Sequence, residues 1–295
     1  MAARPRNYRA IEILDILRNN GPLSFRGIAK LVNPPMVELQ LRLALIRLNK
    51  RNLIKKRNEK IFGGHGTFYQ IPQTRNEKGK VADFLQMPAH YLDQPDFRYR
   101  ELVHNEDCAM WINTIKHLLP DAMCIRDFEF DRNPLAKKIM ALERTDIDLK
   151  PDFIFLLKDG SDKKFMSIAF EIEKSRKSDE RLIKKLYKYA QASHVDGVIY
   201  VCESIRIKEI LQHLYTEKVI RESKRVEHYP HNFFLFSNDV DNCLKNDVEL
   251  FNSEGKPVSF LNWTHYLQNT SFNQRKDYQI DNMPRSPLAY QSPSN

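Results

Sequence analysis

Residues Leu149–Tyr189, LKPDFIFLLKDGSDKKFMSIAFEIEKSRKSDERLIKKLYKY, decide how this chain is built. Two apolar runs, PDFIFLL (151–157) and FMSIAFEIE (165–173), flank the turn signal KDGSD and read as a strand hairpin. Asp152 opens the first run, and Glu171 and Glu173 close the second. Side chains alternate along a strand, so Glu171 and Glu173 share a face with Phe165, Ser167 and Ala169. Met166, Ile168, Phe170 and Ile172 make the other face, which is uniformly apolar and is expected to pack on a helix. Counting outward from the turn sets Leu157 roughly opposite Phe165, and Asp152 opposite residue 170 or 171.

Three carboxylates then converge at one sheet end. Like charges held together call for a cation, and a purely oxygen donor set suits Mg²⁺ or Mn²⁺. Such an ion acidifies a water and neutralises charge on a phosphodiester under attack. The plainer alternative is that the acids are solvated punctuation at strand ends. A lysine-rich helix from about Ser178 follows, with Leu182 and Leu186 turned to the sheet. Lys185 lies one residue before Leu186, about 100° around the helix, where it can flank the sheet end without entering the core. It is expected within about 6 Å of Glu171 or Asp152, where it would stabilise phosphate charge. Lys184 and Lys174 are the alternatives for that role.

The surrounding sequence extends the sheet. A helical pattern runs through Leu102, Met110, Ile112, Ile115 and Leu118, and CIRDFEF (124–130) reads as a strand. A partly helical insert with Lys137, Lys138 and Arg144 leads into the hairpin. After it come a helix over 178–192, a strand GVIYVCE (197–203), a helix from about 205 to 217 and a strand FFLFS (233–237). The order predicts an α/β (α+β) domain, a mixed sheet flanked by helices.

The front of the chain has a different character. Residues 1–80 carry 17 Lys/Arg against 5 Asp/Glu, a net +12, which leaves −3 for the remainder of a chain whose total is +9. A basic module on a near-neutral one is the electrostatic footprint of a polyanion partner, most often nucleic acid. Ile11, Leu14 and Leu17, flanked by Ile13, form a helical stripe that stops at Gly21. Ser24 is placed to cap a short second helix with Ile28, Leu31 and Val32. A third helix begins near Pro34 and Pro35, with Leu39, Leu43, Ile46 and Leu48 as its apolar stripe. Two short strands around the Gly-rich turn of LIKKRNEKIFGGHGTFYQI follow. Helix, helix, basic helix and hairpin in this order predict a winged helix-turn-helix for duplex DNA. The candidates for phosphate contact are Arg42, Arg47, Lys50 and Arg51 on the third helix and Lys55, Lys56 and Arg57 on the wing. The domain reading is therefore 1–72 winged helix, 73–97 linker with room for a short helix inside it, 98–268 sheet domain and 269–295 disordered tail.

Other classes find little support. No apolar run approaches the ~20 residues that span a bilayer, and the N-terminus lacks a signal-peptide core. Four widely spaced cysteines, Cys108, Cys124, Cys202 and Cys243, signal neither a disulfide framework nor a zinc ribbon and fit a reducing, cytoplasmic setting. The nine histidines contain no His-x-x-x-His pair, and GGHG (63–66) lacks the lysine of a phosphate loop. Tyr187 and Tyr189 are candidates for a covalent nucleophile, but tyrosines at helical spacing are more often packing residues.

Asp152 after a proline at the head of one strand, with acids closing the next, resembles the PD-(D/E)XK nuclease pattern of restriction-endonuclease-like domains. Glu173 stands where that pattern has its lysine, so a lysine on the next helix would have to restore the charge. Glu171-Ile172-Glu173-Lys174, followed by Lys185-Leu186-Tyr187-Lys188-Tyr189, also resembles the replication-relaxation family, across roughly residues 8–205. That family joins a winged helix to such a domain and includes MobC-type plasmid relaxases. The resemblance implies metal-dependent nicking at a transfer origin during conjugative mobilisation, with double-stranded DNA and accessory mobilisation or coupling proteins as partners. Alternatives are a non-catalytic replication or mobilisation regulator with a vestigial nuclease fold, and a transposon or defence endonuclease that cuts both strands.

Overall fold

The computed structural model describes residues 7–61, 64–130, 150–158, 165–190, 195–221, 231–236, 249–252 and 255–269. It is a mixed α/β chain that divides into two compact units, Met1–Asn113 and Thr114–Asn295. The expected insert with Lys137, Lys138 and Arg144, the hairpin turn at 159–164 and the tail after Asn269 lie outside the described residues.

The first unit opens with α1 (Tyr8–Asn20), β1 (Leu23–Ser24), α2 (Phe25–Leu31) and α3 (Glu38–Lys50). The strands β2 (Lys55–Ile61) and β3 (Gly64–Gln70) follow, and the sheet order is β1-β3-β2, all antiparallel. The side chain of Ser24 accepts from Gly27 N, so α2 is capped as expected. Glu106 seals the same helix end: its carboxylate accepts from Ser24 N at 2.6 Å and from the Ser24 hydroxyl at 2.9 Å. A Cβ at position 27 would sit 2.8 Å from that carboxylate, so the close approach requires Gly27.

Three expectations fail in this unit. Helix α3 starts at Glu38, not near Pro34, and it buries Leu41, Leu45 and Leu48. Leu39, Leu43 and Ile46, expected in the core, are 64%, 42% and 51% exposed. ELQLRLALIRLNK carries two interleaved apolar series about one turn apart in repeat, and periodicity alone does not choose between them. Packing against Ile13, Leu14 and Leu17 makes the choice. Residues 73–97 are not a linker. They form α4 (Arg75–Leu85) and a 3₁₀ turn at Ala89–Leu92, and Val81, Ala82 and Leu92 join the same core. Helix α5 (Tyr99–Leu118) follows.

The second unit is a seven-stranded sheet in the order β10-β9-β8-β7-β6-β5-β4. Its strands are β4 (Met123–Arg126), β5 (Phe153–Lys158), β6 (Phe165–Glu173), β7 (Gly197–Cys202), β8 (His231–Phe236), β9 (Glu249–Phe251) and β10 (Pro257–Ser259). Its helices are α6 (Asp179–Ala190), α7 (Ile205–Leu214), continued by a π-helical turn to Ile220, and α8 (Phe260–Asn269). The strand expected at 124–130 ends at Arg126, where the chain turns into a 3₁₀ segment. β4, β5 and β6 are antiparallel, whereas β6–β7 and β7–β8 are parallel, so α6 and α7 are the crossovers that parallel neighbours require. In the register Leu157 faces Met166, one residue from the expected partner, and Phe153 faces Phe170, which agrees with the expected place of Asp152 beside residue 170 or 171.

The two sheet faces are buried by different helices. Phe153, Phe155 and Phe170 form an aromatic cluster that meets Phe260 of α8. The opposite face presents Ala169, Val198, Tyr200 and Cys202 to Leu182, Leu186 and Tyr189 of α6 and Leu211 of α7. Neither α8 nor β9 and β10 were expected from the sequence, because their short apolar stretches lie among polar loops. Phe170→Ala should lower stability by about 3–5 kcal/mol in urea denaturation, whereas Leu39→Ala on the exposed side of α3 should stay within about 0.5 kcal/mol.

Candidate functional site

Strand parity puts Asp152, Glu171 and Glu173 on the face that α6 covers. Glu171 and Glu173 are 3% and 1% exposed, and they lie beside Tyr200 and Cys202 on the parallel neighbour β7. Asp152 is half-buried just before β5, where its backbone N–H donates to Phe170 O at 3.1 Å and its Oδ2 accepts from Ile172 N at 2.6 Å. The hairpin thus brings the three acids to one sheet end.

Helix α6 supplies the counter-charge. Leu182, Leu186 and Tyr189 anchor it to the sheet, and Lys185, between them, reaches inward. Lys185 Nζ lies 2.5 Å from Glu171 Oε2 and 2.7 Å from Glu173 Oε1. Tyr189, one turn later, donates its hydroxyl to Glu171 Oε1 at 2.5 Å. Lys177 Nζ lies 2.7 Å from Glu173 Oε2, outside hydrogen-bond geometry, so that buried oxygen is ion-paired but carries no hydrogen bond. Lys184 is exposed and Lys174 is half-buried just after β6; Lys185 takes the position considered for all three. Sequence reasoning missed Lys177 and the hydrogen bond of Tyr189. The one-turn spacing of Lys185 and Tyr189 was the signal for the latter.

Burial pushes the Glu171 carboxyl up to about 7 against the pull of Lys185, with Asp152 adding to the rise. Burial alone would lower Lys185, but Glu171, Glu173 and Asp152 more than offset it and hold the lysine above its ordinary value. Burial, reinforced by Glu171, also raises Tyr189 and Tyr200 well above the ordinary phenol range. Burial and then Glu173 push the Cys202 thiol up to about 12, so it stays protonated and inert. The tyrosines weighed as nucleophiles are engaged within the fold: Tyr189 is fully buried on Glu171, and Tyr187 donates to Lys218 O at 2.6 Å.

Divalent-metal chemistry fits this donor set. Two lysines lie against the buried acids, Lys185 on Glu171 and Glu173 and Lys177 on Glu173. The buried Glu173 Oε2 lacks a hydrogen bond, and Glu171 has a raised pKa, as expected where burial leaves carboxylate charge under-compensated. All the donors are hard oxygens.

The basic residues of the first unit divide into two groups. Arg47, Lys50, Lys55 and Lys56 are exposed. Arg51 is exposed with its guanidinium over the Phe84 ring at 5.1 Å. Arg42 pairs with Glu38 at 2.6 Å and lies over the Phe25 ring at 4.8 Å, yet stays 59% exposed. Arg57 is the exception. It sits opposite Phe68 in the hairpin register, and Phe68 is buried. Its guanidinium is drawn inward to Glu59 at 2.9 Å and to Phe97 O at 3.0 Å, so it is a structural clip and not a phosphate ligand.

No family model matches the chain, and no curated protein matches it. Among solved structures, Bacillus subtilis PadR in complex with operator DNA matches over 50% of this chain and 85% of that chain. Its identity of 18% and TM-score of 0.24 are too low to bear on fold or function. Among the described residues no helix is long and apolar enough to cross a membrane.

The Glu171 pKa has a consequence for stability. The folded chain keeps the Glu171 proton up to about pH 7, whereas an unfolded chain releases it near 4.5. Between those values the folded state binds more protons, so this group's contribution is full below pH 4.5 and is lost as pH rises to 7. Urea midpoints should therefore carry a falling component across that window, and Glu171→Gln should remove it.

Proposed function

We propose that the chain is a metal-dependent endonuclease that nicks duplex DNA at the transfer origin of a plasmid or mobile element, as a MobC-type relaxase does. The observation that carries this reading is Lys185 bridging Glu171 and Glu173 on the sheet face that also holds Asp152. A PD-(D/E)XK-like site needs acids and a lysine together at one sheet end, and α6 brings the lysine that Glu173 displaces from the strand. The first unit supports the same reading: its order of helices and hairpin is that of a winged helix-turn-helix, and its exposed cations lie on α3 and β2.

In the reaction a water oxygen attacks phosphorus, the bond to the 3′ oxygen breaks, and that oxygen leaves with a proton. Asp152, Glu171 and Glu173 would hold Mg²⁺ or Mn²⁺, which when bound supplies charge neutralisation and an acidified water. Lys185 is the side chain for a non-bridging phosphate oxygen, where charge grows in the transition state. Tyr189 keeps the Glu171 carboxylate turned toward the sheet end, and Lys177 balances Glu173. Burial of Glu171 and Glu173 and their closure by lysines favour a second reading, a DNA-binding mobilisation regulator that keeps the domain as a scaffold.

Full-length protein with Mn²⁺ and a supercoiled plasmid bearing its own origin should give open circles. Lys185→Met and Asp152→Asn should each slow nicking by about 100-fold or more while leaving duplex affinity within about twofold. Duplex binding without any cleavage would favour the regulator, and linear product the double-strand endonuclease.

Salt titrations test the DNA-binding surface separately. Arg47→Ala and Lys50→Ala should each flatten the slope of log K against log salt by about 0.9. Arg57→Ala should leave the slope unchanged and lower thermal stability instead.

A further inference from the structure

Four of the nine exposed large hydrophobic side chains among the described residues lie between Val37 and Ile46, on or beside α3. Val37 is 66% exposed, Leu39 64%, Leu43 42% and Ile46 51%. Leu39, Leu43 and Ile46 are spaced i, i+4 and i+7, so they line up as one stripe about 10 Å long. Water-facing side chains of this size, gathered on one helix face, mark a contact surface.

The rim of the stripe says what covers it. Arg47 and Lys50 lie beside it on α3, and Lys55 and Lys56 are exposed on β2. A cationic border around an apolar strip complements a surface that is anionic at its edges and carries apolar groups within. The major groove of DNA has this form: phosphates line both walls, and the thymine C5-methyl is its distinctive apolar feature. Of the two arginines beside the stripe, Arg42 is engaged by Glu38 and Phe25, which weakens its claim to a paired contact with guanine.

The geometry points to a recognition helix that reads thymine methyl groups: Leu39, Leu43 and Ile46 select thymine-rich duplex, while Arg47, Lys50, Lys55 and Lys56 hold the flanking phosphates. This rests on the DNA-binding reading of the first unit and adds the chemical class of its target. Specificity then comes from apolar contact, and affinity from charge.

The test uses full-length protein and a random-sequence duplex pool, from which bound molecules are selected at moderate salt. The winning duplex is then remade with deoxyuridine in place of thymidine, which deletes only the C5-methyl groups. Selected sequences should share thymines spaced along one groove, and the uracil duplex should bind at least about tenfold more weakly, as expected for losing several buried methyls. Leu43→Ala and Ile46→Ala should shrink the thymine–uracil difference without changing the salt slope. Equal binding of the two duplexes would overturn methyl reading and leave DNA binding standing. No duplex binding even at low salt would overturn both. A concentration-dependent dimer that Leu43→Asp abolishes, seen without duplex binding, would assign the stripe to a second copy of the chain instead. The uracil comparison uses unaltered protein, so misfolding of a variant cannot produce the result.

Discussion

Two carboxylates beneath a helix are tolerable only with cations to meet them, and the pairing of Lys185 with Glu171 and Glu173 meets that demand in the second unit. Taking a carboxylate out of water costs several kcal/mol, and removing one partner of a buried pair typically costs about 3–5 kcal/mol because the other charge is stranded. The packing of α6 and the electrostatics of the strand ends are therefore one problem. Leu182, Leu186 and Tyr189 set the rotation of the helix, and that rotation delivers the Lys185 ammonium to both acids. Tyr189 serves both tasks, with its ring in the core and its hydroxyl on Glu171.

The same network sets the charge states at the sheet end. Glu171, with its pKa near 7, changes charge state close to neutrality, and a cation arriving beside it would pull the proton off. Lys185, held charged by three acids, stays a fixed positive centre over the same range. An acid that can exchange a proton for another cation, beside a lysine that cannot lose its own, combines adjustable and permanent charge in one cluster.

Much of this was legible in the sequence, for reasons that differ by element. The period-two pattern of FMSIAFEIE made the face of each acid readable, and the hairpin spacing brought Asp152 to them within one residue. Lys185 was legible because a helix of known phase follows the strand. The failures lie where local pattern is ambiguous. ELQLRLALIRLNK offers two leucine faces, and only the packing of α1 distinguishes them. Arg57 looks like any wing cation until the strand register turns it inward, and Lys177 lies in a loop without periodicity. That the segment holding the short helix at 75–85 belongs to the core was hidden by a polar composition that buries little more than Val81 and Ala82.

The seal on α2 limits how the first unit can be approached. The first N–H groups of a helix are a natural seat for a phosphate. Here Ser24 caps Gly27 N, and Glu106 lies over the cap, accepting from the Ser24 N–H and hydroxyl and reaching close to a residue that has no side chain to keep it away. A nucleic-acid backbone arriving at that end would meet a carboxylate instead of open donors. The first unit is thus uneven in charge, with a carboxylate at one helix start and exposed cations along the outer face of α3, so its net charge alone does not say which side an anion would meet first.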